Sequence, residues 1–569
     1  MKKVSRLLLA AMAVVSLGLA GCGSSSSAPA AAKTATISGA LEPGASKVTL
    51  KTAAAATGAI GTVKAIDAAT GNVISTADAN INADGTFSLN VTPPTTQAGV
   101  ILKATLTTNS KAYRLLVTDT LTVGATLSGK AIGPNSDVVV TKVSADLAHG
   151  GVLGDGGVLH NGTTLAAVAA KVADVQGEVL PNLAVGYVIN TGGSGTATPG
   201  FSIIDRVAKT VTKTVRFTNL PGVRVNHFGN VNTDGSELWL CTNKAGGATG
   251  DVNVFDLVGF KNYSTLNDSN KATLIKKSWT VGCGVQNVQS PSGKYVFISS
   301  DQSPKGVNVF DVEKKAYLGN ITNGNTAPHV GAVSADNKTY YTSTAGSYHV
   351  VGYDISGLAT AAESTTDTAT RTTLNLNKVL DVDFGYGNIH ALRLHPSGKY
   401  LFAGNNTWPV PTGKTSTSGV NVIDLTANPP KIIATIPGRP HNFAISPDGK
   451  YLISTESTAA DCDITPGDPA SLLQFIDIST LLTATPDPTK IKDILHYNHP
   501  GYGGSHAGWD PTTGLLYYAV SADADGQGWL IKLDTSGLSN ATPSVTKVGD
   551  SLKIGWNPHG VLFPGVNGD

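Results

Sequence analysis

Charge is scarce in this chain: 14% of its 569 residues are charged, and 41 Lys and Arg against 40 Asp and Glu leave a net charge of +1. Basic runs are missing altogether. A phosphate backbone calls for clustered Lys and Arg, so nucleic acid is excluded as a partner. Cysteine is scarce too, with Cys22, Cys241, Cys283 and Cys462 the only four. None stands in a C-x-x-C-H motif, which excludes covalent c-type haem. Beyond the first 21 residues no apolar run approaches the roughly 18 to 20 residues that cross a bilayer as a helix. Also missing are a G-x-S-x-G elbow in a strand-to-helix setting, a phosphate loop and an H-E-x-x-H pair. The glycine-rich "GGSGTATPG" at 192–200 joins two strands, so it is not read as a phosphate cradle.

What is present begins with a leader: Lys2, Lys3 and Arg6, an apolar stretch from Leu7, then small residues before Cys22. That order is a secretory signal over residues 1–22. Its ending, "LAGC", resembles a bacterial lipobox, which implies cleavage before Cys22 and lipidation of that thiol. Gly23 rather than Asp after the cysteine implies sorting to an outer membrane, on its periplasmic or cell-surface side. Residues 23–33, "GSSSSAPAAAK", are a flexible tether. The expected partners are therefore the membrane, through the lipid anchor, and a redox partner or small-molecule ligand.

Sixty-four glycines, with much Thr, Ser, Asn and Val, suit an all-β chain with many turns. Residues 34–135 hold alternating segments such as "TFSLNVT" and "VILKATLTT", which predict a small β-sandwich. "NADGTFSLNV" resembles turns of Ig-like and carboxypeptidase-regulatory-like modules. Residues 136–182 read as a linker with one short helix, at "TTLAAVAAKVADVQGEV" (163–179).

From 183 to 569 the chain repeats. "NHFGNVNTDGSELWLCTN", "VQNVQSPSGKYVFISSD", "HVGAVSADNKTYYTST", "HALRLHPSGKYLFAGNN", "HNFAISPDGKYLISTE" and "HAGWDPTTGLLYYAVSAD" overlay as strand, turn, strand, each trailed by a third strand such as "VNVFDL" or "VNVIDL". Four strands per 40 to 60 residues is the grammar of a propeller blade. A seventh blade assembles from "AVGYVINT", "GFSIID" and "KTVRFT" with "PHGVLF" from the C-terminus as its inner strand. The prediction is a seven-bladed β-propeller closed by the C-terminal strand, which leaves no open edge. The "SPDGKYL" and "VNVID" phrases resemble the YVTN or lactonase-like propeller family over most of residues 220–569.

Histidines mark the repeat. His227, His390, His441 and His506 each lie eight residues before the turn glycine, His329 keeps the same offset from Asn337, and His559 opens the C-terminal strand. Only the blade at 285–293 departs, with Val285 in that place. Equal register places equal residues at equal height, so six imidazoles are expected around one mouth of the axial channel. Neutral imidazole suits copper, zinc, iron and nickel. The ring is reminiscent of the nitrous oxide reductase propeller, and that resemblance implies copper, although the chain lacks that family's cupredoxin domain. His496 and His499, in "HYNHPGYGGSH", are added candidates for the same face. Asp301, Asn405, Asn406, Glu456 and Asp523, at the ends of second strands, are candidates to orient the imidazoles or to form a site of their own. Cys241 and Cys283 can approach one another as a disulfide or as soft ligands, and the pairing of the three later cysteines is left open.

Three readings follow. One is an exported propeller lipoprotein whose axial histidines bind a transition metal, copper favoured, in a redox or electron-transfer role. Another is a lactonase-like hydrolase with a divalent ion held on the same face. The third is a non-catalytic binding propeller in which each histidine fills a crevice between blades.

Overall fold

In "TFSLNV", Thr86–Val91, every second side chain is buried, so the strand is half-buried and its apolar face must meet a partner. The computed structural model describes residues 34–42, 59–94, 99–107, 112–149, 151–192, 198–218, 223–244, 250–284, 286–300, 305–322, 328–344, 348–358, 373–407, 418–456, 472–483, 485–499, 504–520 and 527–564. The leader, the tether and Cys22 lie outside the described residues, as do Asp301, Cys462 and Asp523. No described helix is long and apolar enough to cross a membrane.

Two sheets form the N-terminal unit. Thr86–Val91, Ala35–Leu41 and Thr126–Ile132 make one, and Ala79–Ile81, Gly61–Asp67, Val100–Leu106 and Ala112–Val117 the other. Their inner faces share a core that includes Ile37, Val63, Phe87 and Leu102. Residues 136–182 are more ordered than a linker with one short helix. They hold most of α1, Pro134–Leu147, and α2, Leu165–Leu183. Val138 and Val143 of α1 and Val168, Val172 and Val179 of α2 pack with Ile66, Ile101 and Leu116 of the second sheet. The "DVVVTKV" run of α1 has poor intrinsic helix propensity. Tertiary contacts override it: the Glu42 carboxylate accepts the Asn135 and Ser136 N–H groups at 3.0 and 2.9 Å, where anions suit a helix start.

Past residue 183 the strands fall into seven four- or five-stranded sheets, here I to VII. Their first strands are Val223–Val231 (I), Asn287–Gln289 (II), Gly331–Val333 (III), Ile389–Leu394 (IV), Pro440–Ile445 (V), Gly504–Trp509 (VI) and Pro558–Leu562 (VII). Sheet VII takes three further strands from 185–217 and an edge strand from Thr265–Leu266, and Tyr187 pairs with Leu562 and Asn190 with Pro558. Each first strand touches the next, from I through VII and back to I. Radial sheets with adjoining first strands are the arrangement of a β-propeller. The tight turn after the first strand sets register in each repeat: Gly449 has φ 72°, and Asn337 takes its place at φ 60°.

The helical layer docks at those turns, at the opposite end of the first strands from their N-termini. Lys142 of α1 pairs with Asp234 at 2.7 Å, and Lys261 donates to Asn182 Oδ1 at 3.0 Å. There too lies a fully buried ion pair. Arg206 Nε donates to Asp510 Oδ1 at 2.9 Å and Nη1 to the Leu183 carbonyl at 2.6 Å, with the two side chains 1% and 0% exposed. It ties sheet VII to sheet VI and to the end of α2. Asp510→Ala leaves a buried guanidinium uncompensated and is expected to cost about 3 to 5 kcal/mol, whereas the paired change Arg206→Met, Asp510→Leu costs far less. Urea unfolding followed by tryptophan fluorescence reads the difference.

Candidate functional site

A pleated strand sends alternate side chains to opposite faces, so aiming one along the propeller axis requires a break in the ladder. On sheet IV, Ile389 pairs with Asn405 and Ala391 with Gly404, which leaves His390 as an extra residue. On sheet V, Pro440 pairs with Glu456 and Asn442 with Thr455, and His441 is the extra one. On sheet VI, Ser505 and His506 oppose Ala519 alone; on sheet VII, His559 and Gly560 oppose Ile189 alone. On sheet I, residues 226–228 oppose Cys241 alone. Such bulges bend a strand and redirect its side chains. His329 stands just ahead of the first strand of sheet III, its N–H donating to Ser343 Oγ at 3.3 Å.

Five of the predicted histidines meet. Ring centroids are 4.0 Å apart for His329 and His390, 4.5 Å for His390 and His441, 5.1 Å for His441 and His506, and 5.5 Å for His506 and His559. The ring of Phe228, from the bulge on sheet I, lies 4.3 Å from that of His506. His227 lies in that same bulge, and its side chain is outside the described residues. Sequence reasoning missed Phe228, whose signal was its place beside the repeated histidine in "NHFGN".

Burial favours the neutral form of His329, His390 and His559. His506 and His559 are 3% and 9% exposed. Desolvation lowers the pKa of His329 to about 3, with the neighbouring His390 adding to it, and that of His559 to about 4. It lowers that of His390 as well, against the hydrogen bond to His441. A carbonyl oxygen only accepts, so the 2.9 Å contact of His390 Nδ1 with the His441 carbonyl fixes the proton on Nδ1. The same reasoning puts the His559 proton on Nδ1, facing the Asn557 carbonyl at 3.1 Å. In both rings Nε2 then carries the lone pair. His329 Nε2 is buried with no hydrogen-bond partner among the described residues. As they stand, no three His, Cys, Asp or Glu among the described residues are arranged to hold a metal ion; several of the rings stack, presenting faces to one another rather than lone pairs.

The other candidates lie elsewhere in the site's surroundings. His496 is on the outer strand Lys492–Asn498, opposite Gln474, and its Nε2 bonds the Asp493 carboxylate, which raises its pKa. His499 follows that strand, half-buried, with its pKa lowered by burial and by Lys547. Neither makes a ring contact with the five among the described residues. Asn405 is spent on the entry turn of sheet IV: Nδ2 donates to the Tyr386 carbonyl at 3.0 Å, and Oδ1 accepts from the Asn388 and Thr407 N–H groups. The Asn406 carbonyl accepts from Arg439 Nε at 3.0 Å. Glu456, fully buried, accepts the Arg439 N–H and the Ser454 hydroxyl. Sheet II, which has no histidine in the series, instead turns Gln286 Oε1 toward the Gly331 N–H at 3.2 Å. Behind it a disulfide joins Cys241 and Cys283, with Cα atoms 5.9 Å apart.

No protein-family model matches the chain, and no curated protein sequence matches it. Among solved structures it is similar to the periplasmic gluconolactonase of Pseudomonas aeruginosa (12% identity, 68% of this chain and 99% of that one, TM-score 0.46). It is also similar to a hypothetical selenium-binding protein from Sulfolobus tokodaii (12% identity, 68% and 94%, TM-score 0.48) and to a β-propeller domain from Myceliophteria thermophila (12% identity, 61% and 92%, TM-score 0.37). The fold assignment rests on sheet order and first-strand contacts.

A histidine whose pKa falls on folding stays neutral where the unfolded chain takes up a proton. Stability is therefore full above about pH 6.5 and falls as the pH drops toward the folded-state value, by up to about 1.4 kcal/mol per pH unit for each such ring. For His559 that window runs from 6.5 down to about 4. His559→Gln should make the loss across it shallower by about one proton's worth, read by urea unfolding at several pH values.

Proposed function

We propose that this is an exported propeller whose axial imidazoles bind a transition-metal ion, copper favoured, in a redox or electron-transfer role. In this reading the seven sheets are the blades of one ring, clasped by Pro558–Leu562, and lipidated Cys22 tethers it to the outer membrane. The observation that carries the proposal is the continuous row from His329 to His559, with His329 Nε2 buried and unsatisfied. The donor set suits the group: all nitrogen, with His329 and His559 held neutral near neutral pH. Copper heads the affinity order for such donors among divalent first-row metals. Binding requires the stacked His390 and His441 rings to turn apart so that their lone pairs converge with that of His329. The bulges hold His390 and His441 at one height for that motion, and the His390 and His559 carbonyl contacts fix which nitrogen is offered. The disulfide between Cys241 and Cys283 fits an oxidising compartment.

The lactonase-like alternative needs oxygen ligands on the same face. Glu456 and Asn405 are already engaged by backbone and hydroxyl groups. Elemental analysis of the form starting after Ser27, purified without an affinity tag from copper- and iron-supplemented cells, tests the proposal. Stoichiometric copper that disappears in His390→Ala, His441→Ala is expected. A native protein that takes up no copper, iron or zinc would refute it.

A further inference from the structure

On the same face, outward from His559, a cleft of about 190 Å³ opens between sheets VI and VII. Asn190, Thr214, Arg216, Gln527, Lys553 and Trp556 line it. Asn190 is 1% exposed, yet its Oδ1 has no hydrogen-bond partner among the described residues. Its orientation is fixed from behind: Nδ2 donates to Ser202 Oγ at 3.1 Å, and the Gly555 backbone closes so tightly that a Cβ there would meet Asn190 Nδ2 at 2.4 Å. Ser202 Oγ also accepts the Gly555 N–H at 3.2 Å. Its own hydrogen is left for Thr214 Oγ1, 3.1 Å away. Thr214 then has its hydroxyl hydrogen to give to whatever occupies the cleft. Arg216 and Lys553, both exposed, have no acidic partner among the described residues.

Two unpaired cations and a hydroxyl donor call for an anionic group. The buried acceptor Asn190 Oδ1 calls for a hydroxyl on the same molecule, and Trp556 offers a face for its carbon frame. The volume is below the about 300 to 1,000 Å³ of drug-sized sites, so the ligand is small. We propose that this cleft binds a small hydroxylated anion, a carboxylate or phosphate carrying at least one hydroxyl.

Calorimetric titration of chelator-treated protein with D-glycerate, glycerol 3-phosphate, propionate and glycerol tests this separately from any metal. Saturable binding of at least one of the first two is expected, about tenfold or more tighter than of propionate or glycerol. Their ranking tells carboxylate from phosphate. Arg216→Gln and Lys553→Gln, at exposed positions, should each weaken it about tenfold with unchanged thermal unfolding, and Thr214→Val should weaken it as well. No saturable binding of either hydroxylated anion, or binding untouched by the Arg216→Gln, Lys553→Gln pair, would overturn the proposal.

Discussion

The axial face depends on one backbone device, the extra residue in the first strand. A regular ladder on sheets IV to VII would point each histidine out of the plane of its own sheet, toward a neighbouring sheet. The bulges at His390, His441, His506 and His559 instead turn them toward a shared axis. Because each inner strand adjoins the next, the four bulges and His329 bring their rings into one row, in which His390, His441 and His506 stack. The cost of that row is desolvation. It is met by the neutral forms of His329, His390 and His559, and by backbone carbonyls that accept the Nδ1 proton of His390 and of His559.

Among the described residues, the helical layer contacts the opposite end of the first strands. It engages the turns there through Lys142, Asn182 and the contact of buried Arg206 with the Leu183 carbonyl. The departing sheet, II, is compensated locally. Gln286 bonds across to sheet III, and the disulfide binds the segment ahead of sheet II to the strand opposite the bulge on sheet I. The amide of Asn190 and the pair Arg216 and Lys553 place a polar cleft beside His559, so two chemically distinct sites share one face.

Much of this was legible because the repeat is written in turn chemistry. Counting back from Gly398, Gly449 and Gly514 fixes height on the strand, and Asn337 adopts the left-handed backbone that lets it stand in for a glycine. Height alone does not say which way a residue faces. That is why Glu456 and Asn405, at the right level, turn out to be held by backbone groups. The same limit applies to His496, a candidate for the axial face by sequence but on the edge strand of sheet V, paired across from Gln474. Helix α1 was hidden by its valines, whose local preference is outweighed by packing on Ile66, Ile101 and Leu116. Phe228 could not be placed without seeing that three residues of sheet I oppose one.

The central claim is that the row of imidazoles is a metal site rather than a packing habit of the fold. Anomalous diffraction at the copper edge, from crystals grown with one equivalent of copper, addresses it most directly. The account predicts a copper peak on the axis within bonding distance of ring nitrogens of His329, His390 and His441, with His390 and His441 no longer stacked. A peak confined to surface histidines such as His149 and His160, with the axial rings still in contact at their present spacing, would contradict it.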